Sequence, residues 1–125
     1  MLALVALVDD DISVRRALTR LLKSAGLRVR ACASAVEFFE VVWPKAPECL
    51  VLDIHLGGVS GLELLASLRS AGQDLPTVII TAHVDLQNRE LAAKFGCTAY
   101  LLKPLDPQIF LNEVFRALNR EVPSR

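Results

Sequence analysis

Residues 2–11 read Leu2-Ala3-Leu4-Val5-Ala6-Leu7-Val8-Asp9-Asp10-Asp11, seven apolar residues in a row and then three aspartates. A membrane span needs roughly 20 apolar residues. A secretory leader wants a basic start and a small-residue cleavage site. Neither pattern is present, so Leu2–Val8 reads as a buried strand whose end carries acid. Apolar character at every position, rather than every second one, marks a strand covered on both faces, as in a parallel sheet.

Four more strand-length runs follow at Leu27–Ala33, Cys49–Ile54, Thr77–Thr81 and Thr98–Leu102. Helical patterns separate them. The first spans about Ile12 to Ala25, with Val14, Leu18, Leu21 and Leu22 on one face and Gly26 as its stop. Ser34 with Glu37 predicts a capping box for a second helix that ends near Trp43, before Pro44. Ser60 with Glu63 repeats that signature for a third, ending near Gly72. A fourth lies between about Asp85 and Phe95. Asp106-Pro107 supplies an N-cap and first-turn pair for a fifth, which runs to about Asn119. Five β-α units with right-handed crossovers predict an α/β fold, a doubly wound five-stranded parallel sheet of order 2-1-3-4-5, flavodoxin-like. Residues 1–120 form the expected domain, and 121–125 a tail or the start of a linker.

The 125 residues suit one domain, and 53% hydrophobic content supplies its core. The 14 basic and 14 acidic residues cancel, which argues against a general binder of nucleic acid or membrane surface. Arg15, Arg16, Arg20, Lys23, Arg28 and Arg30 cluster without interleaved aromatics and read as a solvated face. Cys32, Cys49 and Cys97 form no C-x-x-C pair and read as buried free thiols in a reducing cytosol.

Ligands of doubly wound sheets sit at the carboxyl ends of the strands, where the winding reverses, here between strands 1 and 3. Asp9 and Asp10 end strand 1 and Asp53 ends strand 3. Thr81 and Lys103 end strands 4 and 5. Three carboxylates in one pocket repel each other unless a cation joins them. Oxygen ligands suit Mg²⁺, with Mn²⁺ as an alternative, and leave room for phosphate. A carboxylate can act as a nucleophile toward phosphorus. Lys103 then adds a fixed positive charge, and Thr81 a hydroxyl. Asp11 reads as the N-cap of helix 1.

These pieces resemble the receiver domain of two-component response regulators: Val8-Asp9-Asp10, Asp53, Thr81-Ala82 and Lys103-Pro104, in that order, each at a strand end. The similarity covers about Ala3 to Leu118. It implies that Asp53 accepts a phosphoryl group from a phosphohistidine of a sensor histidine kinase. It implies that Asp9, Asp10, Asp53 and the backbone carbonyl of His55 hold Mg²⁺, that Lys103 contacts the phosphoryl oxygen, and that Thr81 moves toward it. Tyr100 matches the family's aromatic switch position, and Lys103-Pro104 its cis-peptide turn. His55 and His83, each two residues past a site residue, are either exposed loop imidazoles or tuners of phosphoryl lifetime. Ile80 to His83 and Tyr100 to Pro104 look most like regulators with a helix-turn-helix output domain. The implied setting is cytoplasmic, without a membrane. Further implied partners are a phosphorylation-dependent homodimer across helix 4, strand 5 and helix 5, and a C-terminal DNA-binding output domain outside this chain. The family's usual Met-Pro pair after the acceptor is here Leu56-Gly57, followed by Gly58, which adds backbone freedom.

Two other classes fit the residues less well. Phosphatases of the haloacid dehalogenase type want a second Asp two residues after the first, where this chain has His55. A flavin or nucleotide module wants a Gly- or Ser/Thr-rich loop after strand 1, where this chain has aspartates that repel phosphate.

Overall fold

The computed structural model describes residues 2–119, so the expected tail at 121–125 lies outside the described residues. Strands β1 (Leu4–Val8), β2 (Arg28–Cys32), β3 (Cys49–Asp53), β4 (Thr77–Thr81) and β5 (Ala99–Leu102) form one sheet of order β2-β1-β3-β4-β5. All four neighbouring pairs are parallel, as predicted. The intervening helices are α1 (Ile12–Ser24), α2 (Ala35–Glu37), α3 (Gly61–Ser70), α4 (Leu86–Lys94) and α5 (Pro107–Ala117).

The unbroken apolar runs have their explanation in a core on each side of the sheet. Along β1, Ala6 and Val8 join Leu52, Phe38, Leu64 and Leu65 on one face. Val5 and Leu7 join Leu18, Leu22, Phe110 and Val114 on the other. Successive strand side chains point to opposite faces, so both faces need apolar residues. The edges are less covered: in β2, Arg28, Arg30 and Ala31 are exposed.

Helix starts follow the capping logic. The Asp11 carboxylate accepts from Ser13 N at 2.8 Å and Val14 N at 3.3 Å. Ser60 and Glu63 form the reciprocal capping box. Asp106 accepts from Gln108 N and Ile109 N. The second helical segment departs from expectation. Ser34 caps it through Glu37 N, but regular α-helix lasts only to Glu37. A wider π turn covers Phe38–Val42, and a 3₁₀ turn, Trp43–Lys45, carries the chain past Pro44 to a left-handed Ala46. Phe38 and Val42 stay buried through the wide turn while Phe39 and Val41 face out, and Trp43 packs on Phe38 with ring centroids 6.0 Å apart. Core packing of Phe38, Val42 and Trp43 thus outweighs helical regularity.

Helix α4 is lightly held. Within it only Ala92 is buried, while Leu86 is 72% exposed and the preceding Val84 81%. Its carboxyl end is tied by Arg69 of α3, whose guanidinium donates to the carbonyls of Phe95 (2.7 Å), Gln73 (2.9 Å) and Leu75 (3.1 Å). Among the described residues, no helix is long and apolar enough to cross a membrane.

Burial predicts how truncations divide. Phe110 is fully buried, so Phe110→Ala is expected to lower unfolding free energy by about 4 kcal/mol. Leu86→Ala is expected to change it by less than about 0.5 kcal/mol. Urea unfolding of both variants checks the contrast.

Candidate functional site

The acidic site is built at the switch point by β1 and β3, which pair side by side with Val8 opposite Leu52. Asp9, one residue past β1, is fully buried, Asp53 is buried, and Asp10 is exposed. One carboxylate oxygen from each lies within 4.8 Å of the others. Two unit charges at that distance repel by about 3 kcal/mol at an effective dielectric of about 20. A compensating cation is therefore part of the structure. Lys103, brought in by β5, places Nζ 2.7 Å from Asp9 Oδ2 and 3.5 Å from Asp53 Oδ2. The Lys103-Pro104 peptide that follows is cis.

Further contacts fix the pocket. Asp9 Oδ1 accepts from Asp11 N at 2.9 Å, and its backbone carbonyl accepts from Arg15 Nη1 at 2.8 Å. Asp53 Oδ1 accepts from His55 N at 3.3 Å. Burial, then the Asp9 charge, push the Asp53 carboxyl above its ordinary value against the pull of Lys103 and His55 N–H. Burial alone would lower the Lys103 pKa. The hydrogen bond to Asp9 and the two carboxylate charges outweigh it and hold the ammonium above its ordinary value.

The remaining candidates divide into two groups. Thr81 is fully buried at the end of β4, one residue beyond Ile80, which pairs with Asp53. Its Oγ1 accepts from His83 N at 3.2 Å, and its carbonyl accepts from Lys103 N at 2.7 Å. Tyr100 lies apart, half-buried on β5, lining a groove with Val84, Asp85, Leu86 and Arg89. Its hydroxyl is buried without a hydrogen-bond partner among the described residues, and Arg89 lies 6.0 Å from its ring centre. Burial first, then Asp85, raise its pKa, opposed by Arg89. A cavity of about 700 Å³ between α1 and the start of α5 includes Lys103 in its lining but none of the three aspartates.

Three features escaped the sequence reading. Gly61 opens α3 against β3 so closely that a Cβ there would collide with the Asp53 backbone carbonyl, which makes it a positioning residue for the end of β3. Arg15, read as part of a solvated face, braces the Asp9 carbonyl. The exposed rings of His55 and His83 touch, with centroids 4.3 Å apart and planes at 70°. Their equal offset past two adjacent strands was the available signal. Of the thiols, Cys32 and Cys49 are buried, with burial pushing each up to about 12, while Cys97 is only half-buried.

The donor set is all oxygen, clustered and negative, and so fits a hard divalent cation. Asp9, Asp10 and Asp53 are the residues that could hold it.

A two-faced parallel sheet with an acidic pocket at its switch point defines a doubly wound α/β domain with a carboxylate site. The family is specific: residues 5–115 match the response regulator receiver domain, and the chain belongs to that family. It is 40% identical over 119 residues to Nodulation protein W of Bradyrhizobium diazoefficiens, covering 95% of this chain and 52% of that protein. It is 36% identical over 116 residues to the transcriptional regulatory protein FixJ of Azorhizobium caulinodans, covering 93% and 55%. The chain thus spans about half the length of these relatives. Among solved structures, a response regulator receiver protein from Burkholderia phymatum superposes with a TM-score of 0.85 at 38% identity, covering 98% of this chain and 99% of that one.

The raised Asp53 pKa sets a sign for stability. A carboxyl whose folded pKa exceeds its unfolded value stabilises the fold below the unfolded pKa, and that contribution is lost as pH rises through the folded pKa. In chelator at neutral pH, Asp53→Asn is therefore expected to melt a few degrees above the parent. The gap is expected to close as pH falls toward about 4. Melting curves at the two pH values check this.

Proposed function

We propose that this domain, residues 1–120, is a phosphorylation switch that takes a phosphoryl group onto Asp53 from a phosphohistidine of a sensor histidine kinase. Residues 121–125 are then a tail or the start of a linker. The observation that carries the reading is the Lys103 ammonium held between Asp9 and Asp53 in a pocket of three carboxylates. A doubly wound sheet needs no such charge crowding for its stability.

In the proposed step a carboxylate oxygen of Asp53 bonds to phosphorus. The phosphorus–nitrogen bond of the donor breaks, and its electron pair leaves with the imidazole. The new species is an acyl phosphate on Asp53. Asp9, Asp10, Asp53 and the His55 carbonyl would hold Mg²⁺ (or Mn²⁺), which would supply positive charge against the phosphoryl oxygens. Lys103, already cationic, turns from Asp9 and Asp53 toward a phosphoryl oxygen. The Thr81 hydroxyl offers a short donor from the end of β4. Loss of the phosphoryl group to water resets the switch, so the domain catalyses its own labelling and release and turns over no outside substrate.

Phosphorylation then shifts a pre-existing equilibrium. The elements suited to respond are α4, with its single buried residue, and β5, whose Tyr100 hydroxyl lacks a partner among the described residues. The changed α4–β5–α5 face would control a homodimer and an output domain that binds DNA. Similarity to a transcriptional regulatory protein supports transcription as that output.

Acetyl phosphate with Mg²⁺ is expected to add the mass of one phosphoryl group to the parent, and none to Asp53→Ala or to a sample in chelator. Equal labelling of parent and Asp53→Ala would overturn the assignment; intact-mass spectrometry reads the result.

A further inference from the structure

We propose that His55 and His83 form a second metal site, for a borderline transition-metal cation such as Cu²⁺, Ni²⁺ or Zn²⁺, at the mouth of the acidic pocket. These are the chain's two histidines. They stand 28 positions apart in sequence, yet the fold brings their rings into contact.

The placement follows from the sheet. β3 and β4 run parallel and adjacent, with Asp53 opposite Ile80. His55 lies two residues past the end of β3, and His83 two residues past the end of β4. Each backbone N–H is turned back onto the residue that ends its strand, His55 N onto Asp53 Oδ1 and His83 N onto Thr81 Oγ1. The two loops therefore leave the sheet in the same way, each anchored beside a residue at the carboxyl edge, and both imidazoles are exposed.

The ring separation matches chelation. Nitrogens at about 2 Å from one ion, at about a right angle to each other, leave imidazole centroids about 4.5 Å apart. The observed separation is 4.3 Å. Exposure leaves both rings free to rotate. The loop beyond His55 contains Gly57 and Gly58, the latter at φ +82°, which lets it adjust. Water completes the coordination shell of such an ion.

The two sites differ in ligand type. Imidazole suits Cu²⁺, Ni²⁺ and Zn²⁺, whereas Mg²⁺ takes oxygen. The carboxylates and the histidine pair thus select different ions a few residues apart. An ion on the histidines would tie the β3–α3 loop to the β4–α4 loop across the entrance to Asp53. That would hinder a phosphoryl donor, a consequence that rests on Asp53 being the acceptor.

The test uses the full chain in excess Mg²⁺, with Cu²⁺ as the probe and electron paramagnetic resonance as the readout. The parent is expected to bind one Cu²⁺ with two imidazole nitrogens. His55→Gln and His83→Gln are each expected to lose one nitrogen and bind about tenfold more weakly or worse. Asp10→Asn is expected to keep the two-nitrogen signal. Oxygen-only coordination in the parent, parental affinity in His83→Gln, or loss of the signal in Asp10→Asn would each overturn the site. In a second arm, Cu²⁺ is expected to slow acetyl phosphate labelling of the parent but not of His83→Gln, and equal slowing of both would overturn the gating role. If no sample takes up phosphoryl at all, the acceptor reading fails, while the nitrogen signal still decides the metal site.

Discussion

Like charges held close in a poorly solvated place must be offset, and the architecture of this domain answers that demand at one point. Asp9 and Asp53 are both buried at the carboxyl edge of the sheet, within reach of each other and of Asp10. Lys103 is the protein's own answer, bonded more closely to Asp9 than to Asp53. That asymmetry matters chemically. Asp53 keeps the less engaged carboxylate, with one weak hydrogen bond from His55 N and a raised proton affinity. Asp9 is tied at its side chain by Lys103 and Asp11 N, and at its carbonyl by Arg15. One acid is thus built as a fixture and its neighbour is left available.

The sheet makes this arrangement possible. Parallel register puts the ends of β1 and β3 side by side, and those of β4 and β5 next along. Helices cover both faces, so the central strands present polar groups only at their ends. Gly61 lets α3 press against the end of β3, which fixes the backbone that carries Asp53.

Much of this was legible in the sequence because the signals were local and repeated. Continuous apolar runs gave the two-faced sheet, and Asp9, Asp53, Thr81 and Lys103 each ended one. What escaped depended on distances that no local pattern encodes. The broken second helix answers to the packing of Phe38, Val42 and Trp43 in the core, which overrode a sound cap at Ser34. The Gly61 contact follows from how closely one helix approaches one strand. Arg15 sits in a run of basic residues that looks like surface, and only the turn from β1 into α1 reveals its carbonyl partner. The histidine contact needed the register of β3 against β4 as well as the equal offsets.

The Arg69 guanidinium, clasping three carbonyls beside the carboxyl end of α4, gives that helix the mechanics of a lever. Its fulcrum lies at Phe95, and its free arm points toward the loop after Thr81. A small tilt started near Thr81 is therefore largest at Val84 and Leu86 and vanishes near Arg69. The apolar side chains with the longest travel are the ones that already face water, so such a swing exposes little new core and meets small resistance from packing.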